Sequence, residues 1–136
     1  MTKEKLKSFR LKNIEIKKLQ QSIEQLTSIS EVQASLLSHT PRGTNESECK
    51  ILKSIIKLED AKKKLALVIA DFADQMQSVS NCIRSINNSR IRTVFEMRYL
   101  HGETFESIAS DLHISWRHVH RLHSDGLKEI EGWVDD

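Results

Sequence analysis

Ile51, Ile55, Leu58, Lys62, Leu65, Ile69, Phe72, Met76, Val79, Ile83 and Ile86 succeed one another at alternating spacings of four and three, and only Lys62 is not apolar. A heptad stripe sustained over about five repeats keeps one side of a slightly under-wound helix turned toward a partner. At 1.5 Å per residue such a helix is on the order of 60 Å long, too long to hide its own stripe. A second, rougher stripe runs through Phe9, Ile16, Leu19, Ile23, Leu26 and Leu37, interrupted by Asn13, Ser30 and Gln33. Between the two lies "SHTPRGTNESE", where the single proline, a glycine and a polar cluster fall together and predict a turn. Ser47 or Asn45 is placed to cap the second of the two helices. The two arms match in length. That favours an antiparallel hairpin of residues 3–37 against 46–86 over a helix that pairs only with its copy in another chain. Apolar surface left over after hairpin closure is expected to hold a homodimer.

The rest of the sequence supports an all-α chain. Aromatics make up 5%, charged residues 29%, and there are only four glycines. Cys49 and Cys82 lie far apart beside apolar helical positions, and the expectation is two reduced, core-side thiols. The first residues, "MTKEKLKSFR", carry charge without an apolar run, so they do not read as a signal peptide. No stretch approaches the roughly 20 apolar residues that cross a bilayer. The expected setting is the cytoplasm, with no membrane partner.

Net charge becomes informative once it is divided. Residues 1–37 and 49–86 each carry +3, whereas 87–136 carry −3 together with five of the six histidines. A bulk-charge case for nucleic-acid binding therefore fails for the C-terminal third, and only a local concentration of cations can make one.

That third begins at a break, "INNSR", where Asn87, Asn88 and Ser89 suit a cap better than a helix interior, and Ser89 is expected to start a helix. Residues 89–101 line up Ile91, Val94, Phe95, Met97 and Leu100 along a helix that stops at Gly102. Thr104 then caps "FESIASDL", a second stop falls at His113 and Ile114, and Ser115 caps a last helix through Leu127 and Ile130. Three short helices with two tight connections result, giving a division into a coiled-coil hairpin (1–86) and a small helical domain (87–136).

The last two helices have helix-turn-helix spacing. Ala109 is small where the second helix crosses the first, Ile114 plugs the turn, and Val119 and Leu122 face the three-helix core. Trp116, Arg117, His118, His120 and Arg121 are then left on the outward side. Residues so placed on a recognition helix reach base edges in the major groove of double-stranded DNA, where an arginine matches guanine O6 and N7 with two hydrogen bonds. Ser115 and Thr104, each at a helix start, are placed to meet backbone phosphates. Trp133 and Val134 are expected to cap the domain core or a dimer contact.

The run "RTVFEMRYLHGETFESIASDLHISWRHVHRLHSDGLKEI" resembles region four of bacterial sigma factors, and within that group phage-encoded late-transcription regulators that join an N-terminal helical segment to such a domain. The resemblance covers about residues 90–131. It implies that Trp116, Arg117, His118, His120 and Arg121 contact DNA, and it brings in RNA polymerase as a further partner. Two positions depart from the pattern. His113 stands where glycine often makes the turn and has to accept a positive φ. Gly126 stands for the usual alanine, which weakens the last helix by up to about 1 kcal/mol. No region-two segment for melting promoter DNA accompanies the motif.

Other chemistry has little support. His118, His120 and His123 lack a neighbouring cysteine or an HExxH or CxxC spacing, so no metal or other cofactor is expected. No nucleophile–base set or phosphate-binding glycine loop is present, and no enzyme activity is expected. A merely solvated helix face would explain the arginines and histidines but leaves Trp116 exposed without purpose. Two further readings join helix-turn-helix domains to long helices. One is the small subunit of a phage terminase, which marks DNA for packaging; the other is a polymerase-binding sigma mimic or antagonist.

Overall fold

The structure is a computed structural model that describes residues 1–38 and 45–133, with side chains described for 1–36 and 49–133. It is all-helical. Two long helices, α1 (Lys3–Ser38) and α2 (Asn45–Arg84), pack as an antiparallel hairpin, and α3 (Ser89–Phe95), α4 (Phe105–Leu112) and α5 (Trp116–Ile130) come after them. No strand occurs among the described residues. The expected capping side chains of Ser47 and Asn45, and the stripe residue Leu37, lie outside the described side chains.

Two compact units divide the chain, one of residues 1–15 with 71–136 and one of residues 16–70. The sequence-based division at 86/87 coincides with the break between α2 and α3. The compact units instead cut across both long helices, and the end of each nearest the small helices is grouped with them.

In the unit of residues 16–70, Ile16 and Leu58 are buried and Ser54 Oγ donates to Gln33 Oε1 at 3.3 Å. Half-buried positions on α2 are Ile51, Ser54, Ala61, Leu65 and Val68, whereas Ile55, Lys62 and Ile69 are exposed. The predicted stripe is therefore half right. Its column at 51, 58, 65 and 72 faces inward, but the companion column is 54, 61 and 68, one residue back from 55, 62 and 69. Both choices give heptad spacing. α2 is apolar over a wider arc than one neighbouring helix covers, and the side facing α1 takes the smaller residues. Leu52, Ile55 and Ile56 remain 44–58% exposed as an apolar cluster near the start of α2, separated from Ile69, 41% exposed, by the exposed Glu59, Lys62 and Lys63.

The other unit has the larger core. Leu6, Phe9, Phe72, Val79, Ile83 and Ile86 are buried, and the Phe9 and Phe72 rings stack with centroids 4.6 Å apart. Met76, expected in the stripe, is 44% exposed. Cys82 is buried as expected, but Cys49 is exposed, so the expectation of two core-side thiols holds for one of them. α3 starts at Ser89 as expected and is capped by Asn88, whose Oδ1 accepts from the amides of Arg90 and Ile91 at 2.9 and 3.4 Å.

α3 does not run on as a regular helix to 101. It passes into a single π-helical turn, Glu96–Leu100, closed by the His101 amide donating to Glu96 O at 3.0 Å. The wider turn shifts the phase of the helix around residues 97–100. Tyr99 is buried, while Met97 and Leu100, the residues expected inward, are only half-buried.

Candidate nucleic-acid interface

The connection into α4 is made by Gly102, whose φ of 76° stops the preceding turn as expected. Thr104 caps α4, its Oγ1 accepting from the Ser107 amide at 3.2 Å. His113 closes α4 in the left-handed region with φ 55°, so a histidine does take the place where glycine is common. Its amide donates to Ser110 O at 3.3 Å, and the Ile114 amide donates to Ala109 O at 3.1 Å. Ser115 then caps α5, its Oγ accepting from the His118 amide at 3.1 Å. These bonds fix the turn between α4 and α5 without a glycine.

Ile108, Ala109, Val119 and Leu122 are buried, and Ile114 is half-buried in the turn. With that side of α5 turned inward, Arg117 and Arg121, one helical turn apart, are exposed. Trp116 is 53% exposed. Its ring lies against His120, with centroids 3.8 Å apart, which stiffens the start of α5. His118 is half-buried; Thr104 and Ser115 are exposed at their helix starts.

His120 departs from the expected outward face. It is half-buried, its ring 4.3 Å from that of Phe105, and its Nε2 is buried without a hydrogen-bond partner. At this position α5 turns toward the start of α4, so His120 sits on the flank of the reading face. The structure thus brings Arg117 and Arg121 together on one exposed side, with His118 at one margin and His120, against the Trp116 ring, at the other.

His123 belongs to the core. Its ring stacks on Phe95 at 5.1 Å, and its Nε2 lies 2.5 Å from the Tyr99 hydroxyl. Burial lowers its pKa to about 4, helped by the positive charges of Arg98 and Lys3. Burial likewise raises Tyr99 to about 12, partly opposed by Arg98 and Arg10. At neutral pH the ring is therefore uncharged, and the Tyr99 hydroxyl donates to Nε2.

This pair sets a pH dependence of folding. The unfolded chain binds a proton at His123 near pH 6.5, whereas the folded chain binds it only near 4. The stability it contributes is complete above about pH 6.5 and is lost as pH falls through that window, on the order of 2 kcal/mol once solvent screening at the ring edge is allowed for. Urea midpoints of wild type and His123→Phe at pH 7 and 4.5 check this. The variant is expected to lose less stability on acidification, and equal losses would rule the pair out as the cause.

Sequence reasoning missed Arg98, Phe105 and the first turns of α1. The Arg98 guanidinium lies 3.9 Å from the Phe105 ring centroid, and its Nη1 donates to Glu103 O at 3.1 Å. Arg10 Nη2 donates to Gly102 O at 3.2 Å. A signal was present in the i, i+4, i+7 spacing of Lys3, Lys7 and Arg10, which puts three cations on one side of a helix.

Among the described residues no group of three or more His, Cys, Asp or Glu side chains is placed to hold a metal ion. Nor is any described helix long and apolar enough to cross a membrane. Trp133 is half-buried, its amide donating to Ile130 O at 2.9 Å; Val134 lies outside the described residues. No curated protein and no solved structure matches the chain. Residues 88–131 match the family model described as Sigma-70, region 4, and the arrangement of α4, the turn and α5 described above is that of a helix-turn-helix domain of the DNA-binding type, similar to that region.

Proposed function

We propose that the protein is a sequence-specific transcription regulator that reads double-stranded DNA with α5 and acts as a homodimer on late genes of a phage or phage-related element. The observation that carries the DNA-reading part is the exposed Arg117–Arg121 pair. It lies on a capped helix of a segment that matches sigma-70 region 4. Two arginines one turn apart at the front of such a helix are spaced to contact neighbouring base pairs in the major groove. Ser115 and Thr104, with the amides of the helices they cap, meet the flanking phosphates. RNA polymerase is the partner through which such a domain acts on transcription. The site of action is the cytoplasm of the bacterial host. The late-gene role is supported by the resemblance of the domain and its preceding helical segment to phage regulators.

The exposed apolar cluster of Leu52, Ile55 and Ile56 on α2, with Ile69 further along the helix, supports the dimer. A two-fold pair of reading helices would recognise a site of matching symmetry. Native mass spectrometry tests this part: a dimer is expected, and a large ring would favour the packaging role.

Selection of bound fragments from the source genome tests the whole reading, since it returns target, symmetry and half-site spacing together. Enrichment upstream of late genes is expected. Arg117→Ala and Arg121→Ala are each expected to remove about 1–3 kcal/mol of discrimination at one base pair. Unchanged footprints for both variants on the selected site would refute base reading by α5.

A further inference from the structure

We propose that a cationic cleft between the first three turns of α1 and the flank of α5 binds a phosphate group of the DNA backbone beside the bases that α5 reads. The cleft has a volume of about 460 Å³, and Lys3, Lys7, Arg10, Arg98, His120 and Ser124 are among its lining residues. All of them belong to one compact unit. This inference rests on the reading of α5 as the DNA-binding helix and extends it to a segment outside the family match.

Four cations converge here, and among the described residues no acidic side chain lines the cleft. Nor does any of the four form an ion pair among the described residues. Arg10 spends one nitrogen on Gly102 O, and its Nε is buried with no hydrogen-bond partner. His120 Nε2 is in the same condition. Both nitrogens lie just below the cleft surface and are met by an acceptor-rich anion if the Arg10 and His120 side chains turn outward on binding. Like charges also crowd one another. Burial and then the charge of Arg10 lower the pKa of Arg98, and Glu106, the carboxylate acting on Arg98, counts for less than either. A phosphate relieves that repulsion and offers several acceptor oxygens.

Position favours DNA as the source of the phosphate. On α5, His120 and Ser124 each lie three residues beyond an arginine of the reading face, Arg117 and Arg121. Three residues on a helix leave side chains about 60° apart around the axis. A duplex seated with its major groove, about 12 Å wide, over the arginine column therefore runs one phosphate backbone along this flank. Lys3 and Lys7 are exposed at the mouth of the cleft, where their flexible ammonium groups serve as point charges.

Salt titration of duplex binding by the full chain tests this, using mixed-sequence DNA of about 30 base pairs between about 50 and 200 mM salt. Lys3→Gln combined with Lys7→Gln is expected to reduce the slope of log K against log salt by about 1, near 0.9 for the one phosphate no longer neutralised. It should leave base discrimination on the selected site unchanged. Lys5→Gln with Lys12→Gln is the matched control, because these lysines line a different surface beside Asp74 and Gln75. The control is expected to leave the slope near that of wild type. If wild type binds duplex but the Lys3/Lys7 pair leaves the slope unchanged, or both pairs reduce it equally, the phosphate site is wrong and the reading of α5 stands. If wild type binds no duplex DNA, the reading of α5 fails and takes the cleft assignment with it. Circular dichroism controls for folding, and because Lys3 and Lys7 are exposed no loss of helix is expected.

Discussion

Gly126→Ala is expected to lower the unfolding free energy by about 2 kcal/mol, although alanine is by about 1 kcal/mol the better helix former. Sequence alone makes this glycine a local weakness of α5. Packing reverses that judgement. A Cβ at residue 126 would overlap Phe95 Cε2 and stand 2.7 Å from Ile91 Cγ2, closer than real side chains approach. Phe95 is fully buried and holds the His123 ring at 5.1 Å and the Tyr99 ring at 5.4 Å, so it has no free direction in which to swing. The methyl group is accommodated only if α3 and α5 move apart, which disturbs the core that aims the reading helix. Urea unfolding followed by far-UV circular dichroism measures the effect. A variant as stable as wild type would show that α3 and α5 are not in this close contact.

Gly126 also shows what kind of information the sequence holds. Helix ends are legible because a cap is a local event. Thr104 and Ser115 accept from amides three residues on, and Gly102 and His113 take positive φ where a stop is expected. The turn and the inward residues Ile108, Ala109, Val119 and Leu122 are legible for the same reason, since they derive from spacing along two adjacent helices. Properties that depend on a distant partner are not. Periodicity on α2 specifies an apolar arc but not which edge of it faces α1, so spacing alone points to the column at 55, 62 and 69 where the structure uses 54, 61 and 68. His120 looks like a surface residue because nothing within α5 reveals that Phe105 stands against it. Tyr99 is hidden behind Met97 and Leu100 because a π-turn leaves no periodic trace in the sequence.

The clearest case is Asn13, an apparent fault in the α1 stripe. It is only 7% exposed, and its Nδ2 donates to Leu100 O at 2.7 Å and to Tyr99 O at 3.3 Å. Those carbonyls belong to the last two residues of the π-turn, where a helix runs out of amides to offer them. Both partners are acceptors, so only the amide's NH2 end meets them, and neither aspartate nor leucine is a substitute. With Arg10 on Gly102 O, one side of α1 thus serves as the C-cap of this segment. Asn13→Leu completes the apolar stripe, and a ledger of hydrophobic burial alone makes it stabilising. The expected result is the opposite, a loss of about 2 kcal/mol. Leaving buried carbonyls unmet costs about 1–3 kcal/mol each, more than the added apolar burial returns where no space was shaped for it. Because the same contacts seat Lys3, Lys7 and Arg10 beside α5, the variant should also weaken duplex binding and flatten its salt dependence under conditions where it is still folded. Denaturant midpoints and salt titrations on one preparation measure both effects. A leucine variant equal to or more stable than wild type would mean that Asn13 is a tolerated interruption of the stripe and not the latch between α1 and the π-turn.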